Sequence, residues 1–272
     1  MEFNLSPKAA EYSARLQQFM DQKVIPAEGL YHQQRAALVA AGKPHDLPAI
    51  VEELKVQAKA QGLWNLFLPH SQDPHHGLSV TDYATLAEIT GWSVEIAPEA
   101  INCSAPDTGN MEVLDMFGTD AQKEQWLKPL LAGEIRSGFA MTEPDVASSD
   151  ARNIRTSITK DGDHYIINGS KMWITNSLQA DWICLLANTS EGKPHQNKSL
   201  IIVPMNTPGI TVEKKIHKIG MWSSDTGLIH FDNVRVPQRN LIGMEGAGFM
   251  YQMIQFQEER LWCAANAIQA LI

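Results

Sequence analysis

Two short stretches hold the side chains of this chain best suited to chemistry: Phe139-Ala-Met-Thr-Glu-Pro-Asp-Val-Ala-Ser-Ser-Asp150 and Asn168-Gly-Ser-Lys-Met-Trp-Ile-Thr-Asn176. They pair two hydroxyl-bearing turns with an aromatic wall. Thr142 and Thr175 offer hydroxyls, and Trp173 offers a flat apolar face. Such a set suits a flavin, whose tricyclic ring stacks one face on an aromatic side chain and takes hydrogen bonds along its polar edge from backbone and hydroxyl groups.

The elements that must hold these residues follow from periodicity and turn chemistry. Ser6-Pro7 reads as a helix start, and Tyr12, Leu16, Phe19, Met20 and Val24 recur at the spacing of one helical face. After a polar break at Gly42-Lys-Pro-His-Asp46, Ile50, Val51, Leu54, Val56 and Ala58 lead to Gly62. Ser79-Val-Thr-Asp82 reads as a capping box opening a helix toward Gly91, and Thr119 to Gln122 caps another. Residues 1–135 are therefore expected to form a helical domain.

From Arg136 to Ile242 short β-branched runs alternate with turn dipeptides. Asp161-Gly162 and Asn168-Gly169 are expected as hairpin turns; Trp182 to Leu186, Leu200 to Val203, Ile210 to Val212 and Leu228 to Phe231 supply further strands. Residues 136–243 thus predict an antiparallel β-sandwich or barrel that carries the flavin site. Gly243-Met-Glu-Gly-Ala-Gly248 reads as a flexible lead-in to a last helix, Phe249 to Ile272, apolar on most sides, in a segment spanning residues 244–272. A helix of that kind needs cover, so it is expected to be the first of an incomplete C-terminal helical domain. The fold class expected is α+β.

Bulk properties exclude several functions. With 22 Lys plus Arg against 31 Asp plus Glu, the net charge of −9 repels polyanions, which argues against nucleic acid as a partner. No apolar stretch reaches membrane-spanning length and no targeting segment is visible at the N-terminus. Cys103, Cys184 and Cys263 are odd in number and widely spaced, which points to a reducing compartment, the cytoplasm by default. His70, His75 and His76 match no metal-ligand spacing, so no metal site is expected. The Gly243, Gly246 and Gly248 spacing lacks the order and βαβ setting of a dinucleotide loop, and no Gly-x-Ser-x-Gly elbow or phosphate loop occurs. Trp64 and Trp126 are expected in the core.

The two motif stretches resemble the signature of the acyl-CoA dehydrogenase family of flavoenzymes: aromatic-x-Met/Val-Thr-Glu-Pro, a small-residue loop ending Ser-Asp, then Lys-Met-Trp-Ile-Thr-Asn. The resemblance covers nearly the whole chain. It implies FAD as cofactor, held by Phe139, Ala140, Met141, Thr142, Ser149, Trp173, Ile174 and Thr175. It implies oxidation of an acyl-CoA thioester to the trans-2-enoyl-CoA, a carboxylate removing the α-proton while hydride leaves the β-carbon for the flavin. Electron-transfer flavoprotein is the implied electron acceptor, and a homodimer or homotetramer the implied assembly. Gly246-Ala-Gly248-Phe249 followed by Gln257-Glu-Glu-Arg-Leu261 is similar to the members that carry their base on this helix. By that likeness Glu259 is the base, and Gln257, Arg260 and Ser149 bind substrate; Gln257 stands where the family usually has aspartate.

Residues 257 and 260 share a helix face, with Glu259 turned about 100° away. The alternative is that Glu258, Glu259 and Arg260 form a solvated charged patch. The loop from Pro144 to Asp150 is one residue longer than the family's, so Ser148 competes with Ser149; Ser149 is preferred because it immediately precedes Asp150. Thr-Glu-Pro-Asp-Val-Ala-Ser-Ser-Asp with Ala105 to Val113 looks like the subgroup of acyl-CoA dehydrogenase family members 10 and 11. The second half looks like bacterial citronellyl-CoA dehydrogenases, and Trp222 stands where arginine is commoner. Two rivals remain: a flavin oxidase or monooxygenase on the same scaffold, and an inactive fragment or binding protein.

Overall fold

The computed structural model describes residues 4–68, 78–221 and 224–271. His70, His75, His76 and Trp222 lie outside the described residues. The chain divides into two compact units, Met1–Thr108 with Phe256–Ile272, and Gly109–Gln255.

The first unit is helical, with α1 (Pro7–Phe19), α2 (Ile25–Ala40), α3 (Ala49–Ala60), α4 (Val80–Thr90) and α5 (Ala97–Ala100). Ser6 caps α1 by accepting from the Ala9 N–H at 3.1 Å. Between α1 and α2 the helix widens into a π-type turn over Met20–Val24. Pro26 follows at the start of α2, and its missing N–H cannot complete the usual ladder. Ser79 caps α4 as expected, accepting from Asp82 N–H at 3.1 Å. Asp82 does not close the box; its carboxylate instead takes the Ser6 hydroxyl at 2.9 Å and the Ser6 N–H at 3.2 Å. Lys55, buried on α3, is paired with Glu99 at 2.8 Å and Glu52 at 3.0 Å.

Helix α6 (Asp107–Phe117) leads into the second unit, where α7 (Asp120–Gln122) and α8 (Lys128–Ala132) flank a second π-type turn, again just before a proline, Pro129. Thr119 and Gln122 make the full reciprocal capping box. The strands are β1 (Ser137–Ala140), β2 (Ser157–Asp161), β3 (His164–Thr175), β4 (Trp182–Asn188), β5 (Lys198–Pro204), β6 (Ile210–Lys215), β7 (Thr226–Pro237) and β8 (Leu241–Ile242), followed by α9 (Gly248–Ile268). Among the described residues they form one eight-stranded sheet in the order β6-β7-β3-β2-β4-β5-β8, with β1 beside β4.

Most pairings are antiparallel, as alternation and turns suggested, but β1 and β2 both pair with β4 in parallel. Strands β4 and β5 are buried almost throughout, which explains their unbroken apolar runs. The core of this unit is Ile167, Ile174, Leu185, Ile201, Val203, Phe231 and their neighbours. Asp161-Gly162 does turn the β2–β3 hairpin, with Gly162 at φ 62°. Asn168-Gly169 does not turn; it runs through the middle of β3. Asn168 is held straight by bonds with Asn233, its Oδ1 accepting from the Asn233 N–H at 2.8 Å, and the extra residue of the ladder sits on β7. Gly243 to Gly248 is a packed segment rather than a flexible lead-in. The Gly246 N–H donates to Ser199 Oγ at 2.9 Å, and a Cβ on Gly248 would lie 2.6 Å from the Ser199 backbone. Among the described residues no helix is long and apolar enough to cross a membrane.

Candidate functional site

Strand β1 runs on as Met141-Thr142-Glu143 alongside the second half of β3. The Met172 N–H donates to Thr142 O at 2.8 Å, and the Thr142 hydroxyl donates back to Met172 O. Further along, Asn176 donates from Nδ2 to Ser137 O at 2.9 Å, and a Cβ on Gly138 would meet Thr175 O at 3.1 Å. Residues 137–142 are therefore sewn to residues 172–176. The turn after β3 is fixed by buried Asp225, which accepts from Leu178 N–H at 3.2 Å and Gln179 Nε2 at 2.9 Å.

Between Lys171, paired with Ile229, and Ile174, paired with Gly227, strand β3 carries one residue more than β7. In a regular strand residues 171 and 174 would face opposite sides. The bulge lets both point inward, at 0% and 1% exposure. Trp173 is expelled by the same bulge; it is 56% exposed and held at φ 66°. That left-handed backbone costs a bulky residue about 1–3 kcal/mol and is the kind of strain that gathers where a ligand is received. Phe139, Met141, Thr142 and Thr175 are half-buried, whereas Ala140 and Ile174 belong to the core. An exposed indole beside the half-buried Thr142 and Thr175 is chemically suited to a flat aromatic ligand with a polar edge.

Sequence reasoning passed over what holds this arrangement. Lys171 has no exposed surface, yet it is paired with a carboxylate. Its ammonium donates to Glu143 Oε1 at 2.9 Å and to Met141 O at 2.7 Å. Glu143 is satisfied in turn by the N–H groups of Arg155 at 2.6 Å and Thr156 at 2.9 Å. Burial pushes the Lys171 ammonium down to about 8 against the opposing pull of Glu143. For Glu143 burial acts to raise the carboxyl, but Lys171, Thr156 and the Arg155 N–H together outweigh it and hold the group below its ordinary value. The available signal was the acid of Thr-Glu-Pro in the first motif and the single charge of the second, a lysine in an apolar strand.

Ser148 is buried and committed: it accepts from the Glu143 N–H at 2.6 Å and donates to Glu143 O at 2.9 Å. Ser149 is exposed. Asp150 takes the Arg152 N–H at 3.0 Å, and its hydrogen bonds with Arg152 draw its carboxyl down to about 2. Gln257, Glu259 and Arg260 fall in the first unit, on the later part of α9. Gln257 and Arg260 are exposed, the Arg260 guanidinium lying 5.4 Å from the Phe256 ring centre. Glu259 is half-buried; burial, with Glu259 adding to it, raises the thiol of Cys263. Trp64 and Trp126 are half-buried rather than core: Lys59 sits 4.2 Å over the first, and Trp182 lies 5.9 Å from the second. Among the described residues no group of three or more His, Cys, Asp and Glu side chains is arranged to hold a metal.

Comparison with known proteins gives matches to two family domains: acyl-CoA dehydrogenase, N-terminal domain, over residues 6–134, and acyl-CoA dehydrogenase, middle domain, over residues 138–234. The chain is 48% identical over 277 residues to the probable acyl-CoA dehydrogenase FadE2 of Mycobacterium tuberculosis, covering 99% of this chain and 66% of that protein. It is 45% identical over 256 residues to human acyl-CoA dehydrogenase family member 11, covering 89% of this chain and 31% of that protein. The likeness to member 11 thus extends well beyond the N-terminal half. The chain spans less than two thirds of the length of these curated relatives. Among solved structures, a Mycobacterium smegmatis glutaryl-CoA dehydrogenase in complex with FADH2 is 26% identical, with a TM-score of 0.76, and the match covers 98% of this chain and 63% of that one. A Mycobacterium abscessus chain described as an acyl-CoA dehydrogenase is 40% identical with a TM-score of 0.90, and the match covers 98% of this chain and 67% of that one. With both family domains matched and the fold shared at that identity, the chain belongs to the acyl-CoA dehydrogenase family.

Proposed function

We propose that this chain carries the flavin site of an FAD-dependent acyl-CoA dehydrogenase that converts an acyl-CoA thioester to its trans-2-enoyl-CoA. The observation that carries this reading is Trp173, expelled at φ 66° beside Thr142 where packing alone gives it no reason to be. The residues present fit the cofactor: an exposed aromatic face at Trp173, the Thr175 hydroxyl and the Thr142 N–H match a ring that is flat, apolar on its face and polar on its edge. Bound FAD would supply the hydride acceptor. The chain's own residues would do the rest.

Trp173, Phe139, Met141, Thr142 and Thr175 cradle the ring, with Ala140 and Ile174 acting from the core beneath it. Ser149, free of the loop contacts that occupy Ser148, is the serine that reaches ligand. Glu259 is the base that takes the α-proton, a role worth about 10²–10⁴ in rate, and Gln257 and Arg260 hold the acyl-CoA. The same proposal includes electron-transfer flavoprotein as acceptor, a homo-oligomeric assembly, a cytoplasmic setting consistent with three free thiols, and a division into segments 1–135, 136–243 and 244–272.

The test is FAD titration of the purified protein, followed by a panel of acyl-CoA thioesters monitored by loss of flavin absorbance. Bleaching by at least one thioester is expected, and reoxidation by electron-transfer flavoprotein is expected to outpace reoxidation by air. No bleaching across the panel would refute the reading. Glu259→Gln should abolish bleaching and retain FAD; persistence of turnover would move the base elsewhere.

A further inference from the structure

The buried Lys171–Glu143 pair has no part in the chemistry above, and a buried charge pair is costly unless it fixes something. What it fixes is legible in its third bond. The Lys171 ammonium takes Met141 O at 2.7 Å, so the carbonyl of the 141–142 peptide points into the protein. A planar trans peptide sets C=O and the next N–H in opposite directions. The Thr142 N–H is therefore turned away from the lysine, and it makes no hydrogen bond among the described residues. The Thr142 carbonyl and hydroxyl are both committed to Met172, next to Trp173, so the open N–H lies at the seam where the two motifs meet.

We propose that Lys171 is a positioning residue for the flavin: by drawing the Met141 carbonyl inward it presents the Thr142 N–H as a donor to a carbonyl oxygen on the polar edge of the ring. Glu143 keeps the lysine charged and in place, and is itself anchored by Ser148 and by the backbone of Arg155 and Thr156. This role rests on the flavin reading above.

The test compares wild-type protein with the double variants Glu143→Gln/Lys171→Met and Glu143→Gln/Lys171→Gln. Each removes both charges together, so neither strands an unpaired ion in the core. The methionine variant should fold and yet bind FAD about tenfold or more weakly, the worth of one good hydrogen bond. The visible spectrum of its bound FAD should move toward that of free FAD, which a loss of stability alone would not produce. The glutamine variant keeps a donor and should recover part of both losses. Unchanged affinity and spectrum in the methionine variant would overturn the role of Lys171.

Hydrogen exchange on wild-type protein supplies a measurement that needs no variant. The Thr142 amide should exchange fast without FAD and slow with it; an amide already protected without FAD, or unaffected by it, overturns the proposal. Wild-type protein that binds no FAD would sink the flavin reading itself, whereas wild-type binding with an indifferent methionine variant sinks only this one.

Discussion

At Trp173 local preference and tertiary demand disagree most sharply. A bulky aromatic at φ 66° with 56% of its surface exposed contributes little to folding and costs backbone strain. Trp173→Gly should therefore stabilise the FAD-free protein by about 1 kcal/mol, as glycine accepts this backbone without penalty, while weakening FAD binding by about tenfold. Thermal melts without FAD and a flavin titration check the two halves separately. The neighbouring ion pair predicts an acid sensitivity. Glu143 is held below its ordinary value of 4.5 in the folded protein, so its contribution is present above that pH and is lost as pH falls through the lowered value. Melting temperature should drop on the acid side, and Glu143→Gln should flatten that limb. Removing Lys171 alone, as Lys171→Met, leaves a buried carboxylate unpaired and should cost about 3–5 kcal/mol in urea unfolding, more than the double change.

For the elements, two glycines of the β2–β3 hairpin separate close approach from backbone freedom. Gly169, at φ 146°, runs so near β2 that a Cβ would lie 2.5 Å from Thr156 Oγ1 and 2.8 Å from its Cα. Gly162, at φ 62°, faces open space. Gly169→Ala should cost about 2–3 kcal/mol and Gly162→Ala about 1 kcal/mol, measured by chemical denaturation. An equal loss at both would mean that strand spacing does not decide the cost. At α7 the reciprocal cap of Thr119 and Gln122 predicts about 1 kcal/mol for Thr119→Ala. Gln122 also ties this helix to the sheet through its side-chain amide, which donates to Arg239 O and Leu241 O, both at 2.8 Å.

Taken whole, the molecule carries a net charge of −9, which sets its long-range behaviour. Duplex DNA should show no binding by fluorescence anisotropy at about 0.15 M salt, because no counterion release rewards contact with a repelling surface. Salt-sensitive binding there would expose a basic patch that the net charge conceals. Both units draw their cores from apolar runs visible in the sequence, the helical one at three-to-four spacing and the β one in unbroken stretches such as Trp182 to Ala187. Charge and apolar pattern are sums over residues, and so they survive without knowledge of partners.

By itself the sequence determined the residues of the two motifs, the caps at Ser6, Ser79 and Thr119 and the turn at Asp161-Gly162, because each depends on neighbours a few residues away. Only the tertiary structure decided which motif residues face out. Lys171 and Ile174 both turn inward and Trp173 outward through a bulge defined against β7, a partner remote in sequence. Asn168-Gly169, a turn by its letters, is held in a strand by Asn233, and Ser148 and Ser149, alike on paper, part company when Glu143 claims the first. The pairing of Glu143 with Lys171 spans 28 residues, and the parallel laying of β1 on β4 spans 45. Such choices rest on contacts that exist only once the chain has closed on itself.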